Sequence, residues 1–271
     1  MTASAAAGGI GRGIAVSFAE AGVAGLLCAD IDETGAADTA EFCRTLALKP
    51  GSKIVSVRVD ALDMSSVQAM VDYAKAELGR IDYFVNSAGI DVKDDYPFED
   101  TPAEDYERVT DVNAKGALFL LQAVVKAMKA QEPLQVDMGR IGMRDFGRGS
   151  IVLISSGMSF APIANKTSYI ASKHALLGIA RACALETRYD GIRVNSISPA
   201  WVRTPMYEND CKRNPITPHA VQKLAVTRRT IETDEVAAAA LYLCGPSAVS
   251  ITGINVAMDT GLGLGAGAAL Q

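Results

Sequence analysis

Gly8-Gly9-Ile10-Gly11-Arg12-Gly13 runs into a segment of helical periodicity, 11–21, and Leu26-Leu27-Cys28-Ala29-Asp30 ends the strand-like segment, 23–30, that follows. Glycines at a strand-to-helix turn let backbone N–H groups approach a pyrophosphate at the positive end of the helix. Asp30 stands nineteen residues after Gly11, where an acid at the end of the second strand can accept hydrogen bonds from ribose hydroxyls. The same carboxylate repels a 2′-phosphate, and residues 31–40 hold no Lys or Arg to receive one. The stretch is expected to be the first unit of a dinucleotide-binding sheet, with NAD preferred over NADP.

The alternation continues outward from this unit. Short β-branched runs at 53–59, 81–86, 150–155, 192–197 and 254–258 alternate with helical periodicity at 34–46, 65–78, 102–129, 168–189 and 234–244. Asp63 and Thr233 are the expected N-caps. This is the pattern of βαβ units around one parallel sheet, so the fold class is α/β, a Rossmann-like doubly wound sheet in a single domain over 1–271. Two stretches carry no clear period. Residues 130–149, rich in Gly and mixed charge, are expected to be a surface insertion, and 199–231 a substrate loop or lid.

The 271 residues are 49% hydrophobic and 21% charged, as in globular chains, and the net charge of −5 argues against nucleic acid or an anionic membrane as partner. No apolar run approaches the roughly 18 residues of a membrane span. Five scattered cysteines without a C-x-x-C pair suggest neither disulfides nor zinc, so no metal is expected and a cytoplasmic setting fits.

Tyr169-Ile170-Ala171-Ser172-Lys173 sets a phenol and an ammonium on one helix face. A phenol of pKa near 10 must approach neutrality to act as acid and base, and a nearby cation supplies part of that shift. Ser156, thirteen residues earlier and just past a strand, offers a hydroxyl to hold a substrate oxygen. His174 and His219, with no G-x-S-x-G beside them, read as structural or solvated.

With these marks in order, the chain from Ser4 to Gly261 resembles the short-chain dehydrogenase/reductase family, of the classical type. Gly9-Ile10-Gly11 is similar to the family's glycine motif, Asp60 to the acid that meets adenine, and Asn86-Ser87-Ala88-Gly89 to its N-N-A-G element. Asn113 falls where the family's helix-bending Asn holds a water that relays protons to the Lys, and Ser156, Tyr169 and Lys173 complete the catalytic tetrad. The segment from Arg193 to Thr204 resembles the one that contacts the nicotinamide, with Val202 and Thr204 as its amide contacts. The resemblance implies a cofactor site that also includes Ser4, Ile31, Ala61, Ala88, Gly89 and Pro199, beside Tyr169 and Lys173. It further implies hydride transfer between NAD(H) and a secondary alcohol or ketone, in a homodimer or homotetramer.

Three positions depart from the family pattern. Its first glycine falls on Ala5, the Gly of its Pro-Gly element on Ala200, and only residues 1–3 precede Ser4 to build the first strand. A truncated first strand and weakened cofactor binding are the expectation, and a catalytically silent binding or scaffold relative is the alternative reading. Met158, Phe160, Ile163, Trp201, Met206 and Tyr207 suggest a bulky hydrophobic substrate such as a terpenoid, steroid-like or polyketide alcohol. The Gly/Ala/Leu-rich end, 262–271, is expected to reach a neighbouring subunit.

Overall fold

The computed structural model describes residues 2–4, 6–46 and 49–264, with side chains from Ala6 onward. In chain order it runs β1 (Thr2–Ser4), α1 (Gly9–Glu20), β2 (Gly25–Asp30), α2 (Glu33–Leu46), β3 (Lys53–Arg58), α3 (Met64–Leu78) and β4 (Tyr83–Asn86). Then come α4 (Ala103–Thr110), α5 (Ala117–Lys129), β5 (Leu134–Asp137), β6 (Met143–Gly147), β7 (Gly149–Ile154) and α6 (Thr167–Thr187). The chain closes with β8 (Ile192–Pro199), α7 (Pro205–Arg213), α8 (Thr217–Leu224), α9 (Thr233–Cys244) and β9 (Asn255–Met258).

The seven-stranded sheet has the order β3-β2-β1-β4-β7-β8-β9, and every pair is parallel. Each strand alternates between two buried faces. Leu26 and Cys28 of β2 pack with Ile14 and Phe18 of α1 and Leu243 of α9, while Leu27 and Ala29 pack with Val67 of α3 and Leu120 of α5. Strands covered on both faces read as unbroken apolar runs, as Leu-Leu-Cys-Ala does. The three-residue β1 is central all the same: Thr2–Ser4 pair with Leu27, Cys28 and Ala29 on one side and with Phe84, Val85 and Asn86 on the other. Strand order reverses between β1 and β4, so a crevice opens above the carboxyl ends of the strands.

Four sequence expectations change. The single helix expected at 102–129 is α4 and α5 joined by a π-helical turn, Asp111–Gly116. Residues 130–149 are regular: β5 and β6 form an antiparallel hairpin with an irregularity at Leu134/Gln135. Its short strands alternate too briefly among Pro, Gly and charges to register as a period. Residues 199–231 hold two helices, α7 and α8, in place of a loop. Thr204 accepts a hydrogen bond from the Tyr207 N–H and Pro205 fills the first helical position, a start signal present in the sequence. Asp63 does cap α3, accepting from the Ser65 N–H at 2.8 Å, but α9 is capped by Glu232, whose N–H donates to Glu235 at 2.7 Å. Thr233 lies one residue inside that helix, so close to α1 that a Cβ on Gly13 would meet its side chain at 2.7 Å.

Among the described residues no helix is long and apolar enough to cross a membrane, and no group of three or more His, Cys, Asp or Glu is placed to hold a metal ion.

Candidate active site

Two cavities share the crevice. The larger, about 550 Å³, is walled by Gly9, Ile10 and Gly11 at the start of α1, by Asp30 and Ile31 after β2, and by Asp60 and Ala61 after β3; Ala88 and Gly89 after β4 and Thr204 close it. The helix start has no side-chain cap and no acid in its first turn, so its first N–H groups remain available to an anion. Asp30 braces the loop: Oδ2 accepts from the Ala7 N–H at 2.8 Å and Oδ1 from the Asp32 N–H at 3.0 Å. Each oxygen keeps a second lone pair for a ribose hydroxyl. Asp60 accepts from the Leu62 N–H at 2.9 Å. Among the described residues, the only charged ones on this wall are the two acids Asp30 and Asp60. Arg12 turns away, its guanidinium 5.2 Å from the Phe42 ring centre. Asn86 is buried off the wall, its Oδ1 accepting from the Ala88 N–H at 3.1 Å. Ser4 ends β1 at the same crevice, and Ala5 lies outside the described residues.

Behind the groove stand the four tetrad candidates. Asn113 sits in the π-turn, buried, and uses its whole amide: Oδ1 accepts from the Ile90 N–H at 2.8 Å, and Nδ2 donates to the Ile90 carbonyl at 3.0 Å and to Ser172 Oγ at 2.9 Å. It fastens the segment following β4 to α6. Lys173 is buried, donates from Nζ to the Ile154 carbonyl at 3.1 Å, and lies 5.5 Å from the Tyr169 ring centre. Gly89 leaves the space between them, for a Cβ there would stand 3.2 Å from Lys173 Nζ and 3.3 Å from Asn113 Oδ1. Tyr169 stands beside Ser156, whose hydroxyl eases ionisation of the phenol and whose Oγ accepts from the Met158 N–H at 3.2 Å. Burial drives the two partners apart in acidity. It pushes the Tyr169 phenol above its usual range, a shift the Ser156 hydroxyl resists, and it lowers Lys173 to about 8 against the pull of Asp91.

The second cavity, about 110 Å³, meets the groove at Ile10, Thr204 and Met206. Ser156 and Tyr169 open into it, and Met158, Ile163, Pro199, Trp201, Val202 and Tyr207 form its apolar walls. Phe160 lies outside that lining, about two-fifths exposed and against Gly263. The far wall is ionic. Lys166, just before α6, is almost wholly buried and reaches Asp91 Oδ2 at 2.7 Å, Asp210 Oδ1 at 2.7 Å and Asp95 at 3.4 Å. Arg213 of α7 joins Asp91 and Asp210.

Comparison with known proteins agrees with this architecture. Residues 5–263 match the family model described as enoyl-(acyl carrier protein) reductase. The chain is 38% identical over 260 residues to the short-chain dehydrogenase RED2 of Pyricularia oryzae, covering 94% of this chain and 93% of that protein. It is 33% identical over 261 residues to the D-threitol dehydrogenase of Mycolicibacterium smegmatis, covering 94% and 89%. The crystal structure of levodione reductase superposes with a TM-score of 0.85 at 28% identity, covering 97% of this chain and 96% of that one. The chain is a short-chain dehydrogenase/reductase. It is therefore an oxidoreductase of a family that works with a nicotinamide cofactor, and the long groove with its glycine-lined helix start fits such a dinucleotide.

In this short-chain dehydrogenase/reductase the residues that sequence reasoning missed are Asp91, Lys166 and Asp210. Each is an ordinary polar residue in a stretch without a motif, and Lys166 meets its partners across 75 and 44 residues of chain. One signal was available: Lys166 stands three residues before Tyr169, a spacing that shares a helix face with it.

Proposed function

We propose that this enzyme is an NAD-dependent dehydrogenase of secondary alcohols with a largely apolar body, working in the cytoplasm as a homo-oligomer. The observation that carries the reading is the Tyr169–Ser156 pair at the seam of the two cavities, with Lys173 behind the ring. The acid-only wall of the groove supports NAD: Asp30 accepts the ribose hydroxyls, and a 2′-phosphate would meet carboxylates with no cation to balance it. The walls of Met158, Ile163, Trp201, Met206 and Tyr207 support an apolar substrate, covered by α7 and α8.

In this reading Ser156 Oγ and Tyr169 Oη hold the carbinol oxygen. Tyr169 takes its proton as the carbonyl forms, and returns it in the reverse direction. Lys173, beside the ring, favours the phenolate whenever its own Nζ is protonated. Asn113 is a positioning residue, since its tie between Ile90 and Ser172 fixes the spacing of Gly89 and Lys173. The bound nicotinamide supplies the hydride acceptor or donor. The polar contacts at Asn113, Ser156, Tyr169 and Lys173 speak against the silent-relative alternative, which has no supporting observation.

The test is oxidation of a panel of apolar secondary alcohols followed at the NADH absorbance, with NAD and NADP side by side. Turnover with NAD is expected, and Asp30→Ala should narrow the NAD over NADP preference about tenfold or more. A parent enzyme that already prefers NADP refutes the cofactor assignment.

A further inference from the structure

We infer that Asp91 sets substrate specificity: the alcohol this enzyme takes carries a second hydroxyl, apart from the reacting one, that donates to Asp91 Oδ1. The inference rests on the dehydrogenase reading above and adds the chemistry recognised at the other end of the same cavity. Asp91 lines that cavity together with Ser156 and Tyr169, and its side chain is 13% exposed. Its two oxygens are used unequally. Oδ2 receives both Lys166 Nζ and Arg213 Nη2, whereas Oδ1 accepts no hydrogen bond from any described residue and is not fully buried.

The neighbouring cations are turned into the cluster. Lys166 donates to Asp91 and Asp210 with Asp95 3.4 Å away, and Arg213 is held by Asp91, Asp210 and the Val92 carbonyl while its Nε is buried without a partner. The cluster holds three carboxylates against two cations, so what it presents to the cavity is an acceptor with surplus negative charge. Asp210, the other carboxylate on that wall, is already engaged at both oxygens, by Lys166, Arg213 and Asn214 at Oδ1 and by Thr217 at Oδ2. An acceptor left open among apolar walls discriminates strongly, because a ligand that displaces its water without replacing the hydrogen bond strands a desolvated charge. A second hydroxyl satisfies Oδ1, a bare hydrocarbon does not, and a carboxylate is repelled.

A six-membered ring series holds the apolar body constant and moves one group. The probes are cyclohexanol, the 1,2-, 1,3- and 1,4-cyclohexanediols, and 4-hydroxycyclohexanecarboxylate. Each is measured twice, as kcat/KM with NAD and as the melting shift it gives the NADH-saturated protein. The expected order places at least one diol about tenfold or more above cyclohexanol and the carboxylate last. In Asp91→Asn the diol-to-cyclohexanol ratio should fall to within about twofold, while Asp210→Asn, which removes the same charge from an engaged carboxylate, should keep it. Equal treatment of cyclohexanol and all three diols by the parent overturns the inference without help from any variant. So does a preference for the carboxylate, which would assign recognition to Lys166, or a ratio that survives in Asp91→Asn. Turnover without the order leaves the dehydrogenase reading standing and removes Asp91. The order in melting shifts without turnover removes the dehydrogenase reading and keeps Asp91.

Discussion

Tyr169 and Lys173 are buried together, and the same loss of solvent raises the phenol and lowers the amine. Neither is ready for chemistry alone, which is why the hydroxyl of Ser156 and the charge of a bound cofactor matter. Tyr169→Phe keeps the ring and its packing but removes the phenol hydroxyl beside Ser156. Turnover should fall by about a hundredfold or more, while the melting shift given by NADH stays near the parent value. Undiminished turnover would take Tyr169 out of the reaction. Lys173 carries a separate prediction. Its folded pKa of about 8 lies below the ordinary 10.5, so the folded state sheds a proton that the unfolded chain still holds between those two values. Stability from this group therefore rises with pH across that window, by about 1.4 kcal/mol per unit. Burial raises Cys183 to about 11 and Cys244 to about 12, and these act in the opposite sense. Comparing the parent with Lys173→Met isolates the lysine: the difference in urea unfolding free energy should tilt toward the parent from pH 8 to pH 10. A difference that stays flat would show that the ammonium is not strained.

At the scale of elements, the sheet separates function from support. The glycine-lined turn, Asp30, Asp60, Ser156 and Pro199 all stand at or just after the carboxyl ends of strands, whereas the hairpin β5–β6 is bound to the opposite ends. Arg148 and Gly149, which lead into β7, donate to the Gly191 carbonyl just before β8, and Gln131 bonds Ile81 just before β4. Gly147, at φ +87°, brings the hairpin so close that a Cβ would collide with the Gly191 carbonyl oxygen. Gly147→Ala should therefore cost about 2 kcal/mol or more, read as a lower denaturation midpoint, with KM for NAD unchanged. A changed KM would place the hairpin in communication with the crevice. The element pattern was legible wherever periodicity was long, as in α2, α3 and α6. Periodicity alone missed the π-turn at Asn113, where the resemblance had placed a helix-bending Asn and where the side chain bonds Ile90, and it missed 199–231, where short helices sit between prolines.

For the molecule as a whole, Lys166 joins the segment after β4, the start of α6 and the helix α7 that covers the substrate cavity. Burial opposes its charge, yet the bonds it donates to Asp210 and Asp91 hold its pKa above the usual range, and Lys166 in turn helps hold Asp210 below its own. Lys166→Met would leave three carboxylates facing Arg213 alone, and should cost about 3–5 kcal/mol of unfolding free energy at neutral pH. A loss below 1 kcal/mol, measured by urea unfolding with an unchanged slope, would mean that the cluster is solvated in the working protein. The sequence by itself determined the order of βαβ units, the glycine turn, the acid at Asp30 and the Tyr169–Lys173 spacing. Those are local properties, set by period two in strands, by 3.6 residues per helical turn and by the reach of an i, i+4 pair. Only the tertiary structure decided that Asn113 spends its amide on Ile90 and Ser172, and that Lys173 sits near pH 8. It alone brought Asp91 to the far wall of the cavity with one oxygen open. Burial and charge pairing depend on which distant segments the sheet brings together, and no local spacing in the chain records that meeting.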